Sequence, residues 1–139
     1  MKTHRILATL ITVLLFAASG RCIAMTDIKD VSKAEAKGLG LELQTKAQGA
    51  DQIRVTLELK KDGKMKKFSR VELWIQDGEK VLFVGLLKDD EHSAKPGCVV
   101  IAFTIDRSLM AKAQLHIVAG AEDFDGYGLK LTEHASPGL

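Results

Sequence analysis

Past its N-terminus the sequence has no apolar run long enough to cross a bilayer, and it has no CxxC, no HExxH and no GxSxG. Each absence removes a class. A spanning helix needs roughly 20 apolar residues, so no stable membrane insertion is expected of the body of the chain. Without CxxC or HExxH the usual paired metal and redox ligands are missing, and without GxSxG so is the nucleophile elbow of the α/β-hydrolases. No histidine follows Cys98 at short spacing, which excludes a blue-copper ligand set. Beyond residue 24 the histidines are His92, His116 and His134, and no pair of them has a spacing that demands a shared site. The 18 acidic residues include no nominated acid and base pair, so a small hydrolase with paired carboxylates ranks third among functional readings. The chain reads as non-enzymatic, and no cofactor is expected.

What is present begins with Lys2, His4 and Arg5, then a thirteen-residue, largely apolar run from Ile6 to Ala18, then small residues. That order is a secretory signal peptide, and the protein is expected to be exported to a periplasm or the exterior. Cleavage after Ala24 leaves Cys98 alone and buried; cleavage after Gly20 leaves Cys22 to pair with it in an oxidising compartment. Removing residues 1–24 takes Lys2, Arg5 and Arg21 and no acid, so 20 basic residues against 18 acidic become seventeen against eighteen. The basic balance belongs to the precursor, and no nucleic-acid partner is expected.

After a polar arm, residues 25–38, with a capping box at Ser32 and Glu35 and Gly38 placed to stop a helical turn, the body alternates. Strands are expected over Leu39–Thr45 and Ile53–Lys60, where Ile53, Val55, Leu57 and Leu59 take one face. Phe68–Leu87 reads as a hairpin turning at Asp77-Gly78. Pairing Lys61 with Lys64 would set Arg70 beside Val55 and Glu72 beside Ile53, so the strands before and after that turn are expected in opposite sheets. Strands at Cys98–Ile105, Ala113–Ala119 and Gly128–Thr132 follow, with a helical turn at Asp106–Lys112.

About seven short antiparallel strands with little helix read as all-β, a single sandwich over residues 39–134 with a flexible tail at 135–139. In strand count, in the polar helical turn before the penultimate strand and in the closing hairpin, the order resembles an immunoglobulin-like domain. It departs from antibody domains in having no disulfide pair on facing strands and in the outward parity of Trp74. The resemblance implies a fold and assigns no function.

Two surfaces are candidates for binding a protein or glycan partner. One is the outer face carrying Trp74, with His116 and Val118 on a neighbouring strand and Trp74 opposite Val81 or Leu82; a homodimer through it is one cover. The other is a loop end where Lys60, Lys61, Lys64, Lys66, Lys67 and Arg70 meet two acidic loops, with Lys61, Lys64 and Lys67 as contacts. The alternative function is a periplasmic small-ligand or metal-binding protein using Asp89, Asp90, Glu91 and His92. Glu122 to Gly126 resembles part of a calcium loop but puts Thr132 where the closing glutamate belongs.

Overall fold

Strict alternation in Ile53–Leu59 buries one face of a strand and wets the other, and the fold is built by giving two such hairpins separate sheets. The computed structural model describes residues 27–64, 67–120 and 124–139. The expected leader with Cys22, as well as Lys66, Glu122 and Asp123, lies outside the described residues. The elements are β1 (Ile28–Asp30), α1 (Lys33–Leu39), β2 (Leu41–Gln48), β3 (Gln52–Lys60), β4 (Phe68–Asp77) and β5 (Lys80–Leu87). After a 3-10 turn at Glu91–Ser93 come β6 (Cys98–Asp106), a second 3-10 turn (Arg107–Lys112), β7 (Ala113–Ala119), β8 (Asp125–Lys130) and α2 (Leu131–His134).

The molecule is all-β in two sheets, a three-stranded one ordered β2-β3-β6 and a five-stranded one ordered β1-β8-β7-β4-β5. As the conflict of apolar faces requires, β3 and β4 are in different sheets. Leu41, Leu43, Ile53, Val55, Leu57, Leu59, Ile101 and Ile105 from the first sheet form one core with Val71, Leu73, Ile75, Leu115, Ile117 and Leu129 from the second. Each of these, fully buried, contributes about 1.5–3 kcal/mol of apolar transfer, which is what holds the two sheets together.

Several boundaries differ from expectation. The capping box forms, with Ser32 Oγ accepting from the Glu35 amide and the Glu35 carboxylate accepting from the Ser32 amide at 2.8 Å. That pairing, together with Lys29, holds the Glu35 carboxyl below its usual range. The helix runs through Gly38 and stops at Gly40, whose φ of 85° supplies the left-handed C-cap, so β2 starts at Leu41 rather than Leu39. Gly38 has ordinary helical freedom; only Gly40 also needs the close approach, with Gly63 Cα 3.3 Å from its virtual Cβ.

The residues expected as an arm are integral: β1 adds to the sheet edge in parallel with β8, Ile28 opposite Gly126. The last strand is Asp125–Lys130 instead of Gly128–Thr132, because Leu131 turns inward to begin α2 and is fully buried. His134, expected in a frayed end, is 2% exposed. Cys98 is half-buried rather than buried, with no disulfide partner among the described residues; it pairs in register with Lys60, on the outward parity of β6. In the tail, Ser136 exchanges hydrogen bonds with Thr45, at 3.1 Å to its hydroxyl and 2.8 Å from its amide.

Candidate functional site

Parity along β4 puts Val71, Leu73 and Ile75 in the core and turns Arg70, Glu72, Trp74 and Gln76 to the opposite face. Register places Gln114 beside Trp74 and His116 beside Glu72 on β7, and Lys130 and Gly128 beside those on β8. On the other flank a bulge between Ile75 and Gln76 shifts β5 by one residue. The two-residue turn is Gly78–Glu79, closed by Asp77 opposite Lys80, rather than Asp77-Gly78, and with the bulge this sets Trp74 against Val84, leaving the expected neighbours Val81 and Leu82 nearer the turn.

Trp74 and His116 are stacked, ring centroids 4.8 Å apart and planes 27° from parallel. The indole N–H donates to Glu72 Oε2 at 2.9 Å, and Arg70 Nε donates to the other oxygen of the same carboxylate at 2.8 Å. Beyond the imidazole, Gln114 Nε2 donates to Asp30 Oδ1 at 2.5 Å, which turns its carbonyl oxygen to His116 Nε2 at 3.2 Å. An amide oxygen only accepts, so the Nε2–H tautomer is the one that satisfies the chain. Lys130 Nζ closes the row on Asp30 Oδ2 at 3.3 Å. This line of polar contacts crosses β8 because Gly128 has no side chain: a Cβ there would meet the Gln114 amide and Asp30 Oδ1.

Burial holds the His116 imidazole below its ordinary pKa, opposed by the carboxylates of Glu72 and Asp30. At neutral pH the ring is uncharged and presents an aromatic face. Val118, expected beside it, is on the same parity but 1% exposed, so it lies beneath the surface rather than on it. Sequence alone gave no sign of Gln114, Asp30 or Lys130, since their meeting depends on the parallel addition of β1. The signal that was available is the pair of glycines, Gly126 and Gly128, with strand parity.

Next to Trp74 lies β5, whose Val81, Leu82, Phe83, Val84 and Leu86 are between 45% and 63% exposed. It is the end strand of the five-stranded sheet, and the three-stranded sheet is too narrow to cover it.

The other candidates are arranged differently. The Lys61 amide donates to Gly97 O and the Gly120 amide to Lys67 O, both at 2.9 Å, which ties the segment carrying exposed Lys61, Lys64 and Lys67 to Gly97 on one side and Gly120 on the other. Asp90 is tied into the fold: it accepts from Ser93 Oγ at 2.7 Å and from the His92 amide, and pairs with Arg54 at 3.3 Å. Those bonds, the Ser93 hydroxyl foremost, hold its carboxyl below the usual range. Asp89, Asp90, Glu91 and His92 do not converge, and among the described residues no group of three His, Cys, Asp or Glu side chains is arranged to hold a metal. A groove of about 250 Å³ beside α1 and β2 contains His134, whose imidazole is already bonded to Val31 O.

Comparison of the chain with protein-family models, with curated proteins and with solved structures returns no match, so the outer face of the five-stranded sheet is left to speak through its own chemistry.

Proposed function

We propose that the protein is an exported, non-enzymatic domain of immunoglobulin-like type that takes a protein partner on the outer face of its five-stranded sheet. The observation that carries this is the stacked Trp74–His116 pair beside exposed β5. Tryptophan is concentrated at the energetic centres of interfaces, where a large ring is buried at small entropic cost. Here Glu72 and His116 already fix the indole, so little rotamer freedom remains to be lost on binding. Arg70, Glu72, Gln114, Asp30 and Lys130 supply the polar rim that surrounds such a centre. The immunoglobulin-like part is supported by connectivity, with β2-β3-β6 facing β5-β4-β7-β8. Export is supported by residues 1–24.

A photo-crosslinking residue at Gln76, beside Trp74, is expected to trap one protein species in the native host, and the trap is expected to fail when Trp74 is changed to Ser. The same residue at Glu42, on the other sheet, serves as control. Equal products from both faces, or no dependence on Trp74, would overturn the proposal. A glycan occupant would appear instead as saccharide-dependent quenching of Trp74 with no protein adduct.

A further inference from the structure

Four strands end the two sheets, and three of them are guarded. β1 has three residues, two of them Lys29 and Asp30. β2 has its Thr45 amide bonded to Ser136 Oγ and carries Glu42 and Lys46 outward. β6 is covered by the 3-10 turn, with the Asp90 amide on Val100 O at 2.8 Å. β5 lacks these three devices: Val81–Leu87 is seven residues without charge or proline, Val81 to Val84 and Leu86 are exposed, the bulge at Leu82 is its one irregularity, and no hydrogen bond from a described residue outside β4 reaches it. A bare apolar edge of this length is a template for another strand.

Building on the proposed working face, we infer that β5 pairs antiparallel with β5 of a second copy, about a two-fold axis through Val84. Two-fold symmetry requires one residue to face itself, and Val84 is the centre of the uncharged run. In that register Leu82 faces the partner's Leu86, and Phe83 faces the partner's Gly85. Within one copy Phe83 already lies over Gly85, where a Cβ would come 2.7 Å from the ring. The like charges brought together are Lys80 and the partner's Lys88, with Glu79 and the partner's Asp89 just beyond them, all at the solvated rim. Trp74, level with Val84, then lies in one row with the partner's Trp74, three strand spacings or about 14 Å away.

The first and last described segments lie elsewhere. Asp27 precedes β1 at the opposite edge, four strand spacings or about 19 Å from β5. Ser136 is held at β2 in the other sheet.

Sedimentation equilibrium of the purified protein is expected to give a dimer whose association strengthens as salt screens Lys80 from the partner's Lys88. Val84→Lys, at a half-exposed position, is expected to weaken association about a hundredfold while leaving the circular dichroism spectrum and thermal midpoint unchanged. In a Cys98→Ser background, Val84→Cys is expected to form a disulfide-linked dimer under mild oxidation. A dimer that survives Val84→Lys, a Val84→Cys chain that stays monomeric, or wild-type protein that is monomeric at all concentrations tested overturns the inference. Wild-type monomer whose β5 amides are protected from exchange assigns the edge to the chain's own N-terminal residues instead. Either failure leaves the proposed function standing if the Gln76 adduct is a different protein.

Discussion

His134 Nε2 lies 2.9 Å from the carbonyl oxygen of Val31, across 103 residues of sequence. A carbonyl only accepts, so the imidazole donates, and α2 is pinned to the segment that joins β1 to α1. Both residues are buried. Replacing His134 by Ala removes a buried ring and leaves the Val31 oxygen without its partner, which is expected to cost about 2–4 kcal/mol. His134→Gln keeps a donor and is expected to recover part of that loss. Urea unfolding of the three proteins checks the order.

The depressed pKa of His116 gives a pH dependence of definite sign. The unfolded chain takes up this proton near pH 6.5 and the folded chain only below that, so the unfolded state binds more protons in the interval. Stability from the neutral ring is therefore complete above pH 6.5, declines as pH falls through the interval and levels off below the folded pKa. The groups facing the ring are Trp74, Glu72, Gln114 and Asp30. Emission of the single tryptophan, Trp74, is expected to fall as the stacked imidazole protonates, with a midpoint below 6.5, and His116→Gln is expected to abolish that step.

Two glycines separate backbone from side-chain crowding. A Cβ at Gly63 would stand 2.7 Å from Leu39 O and 3.4 Å from Gly40 Cα, both main-chain atoms that cannot swing aside. A Cβ at Gly128 would meet the Gln114 amide, Asp30 Oδ1 at 2.7 Å and Ile28 Cγ2 at 3.0 Å, all ends of side chains. Gly63→Ala is expected to destabilise by about 1–3 kcal/mol. Gly128→Ala is expected to lose about 0.5–1.5 kcal/mol with the Gln114–Asp30 bond. Thermal midpoints in the reverse order would refute this account of the two sites.

Processing after Ala24 predicts a mature chain that begins at Met25 and carries one titratable thiol, Cys98. Intact mass and thiol titration of exported protein check both. A mass retaining Cys22 with no free thiol would assign the cut after Gly20 and a Cys22–Cys98 bridge.

Much of the two-sheet arrangement was legible because parity is a local property. Alternation in Ile53–Leu59 and Val71–Ile75, together with the mismatch across the Lys61–Lys64 turn, was enough to separate the sheets. The same parity set Trp74 and His116 on one outer face. What could not be read depends on contacts distant in sequence. No periodicity in Ile28–Asp30 says that three residues will join β8 in parallel, and so nothing announced Asp30 beside Gln114. The turn at Gly78–Glu79 instead of Asp77-Gly78 moved the partner of Trp74 from Val81 to Phe83, and the bulge after Ile75 moved it one further to Val84; a bulge leaves no mark in composition. His134 sat among polar residues and looked like an end until Val31 supplied its acceptor.

The pairing of Ile28 with Gly126 closes a loop that contains nearly every other described residue. Closing so long a loop costs conformational entropy before any contact rewards it, so the mark of this feature is kinetic. The β2–β3 and β4–β5 hairpins form early from neighbours in sequence, whereas β1 can dock only on a finished β8. Refolding is expected in milliseconds to seconds, with the first strand of the chain the last to find its place.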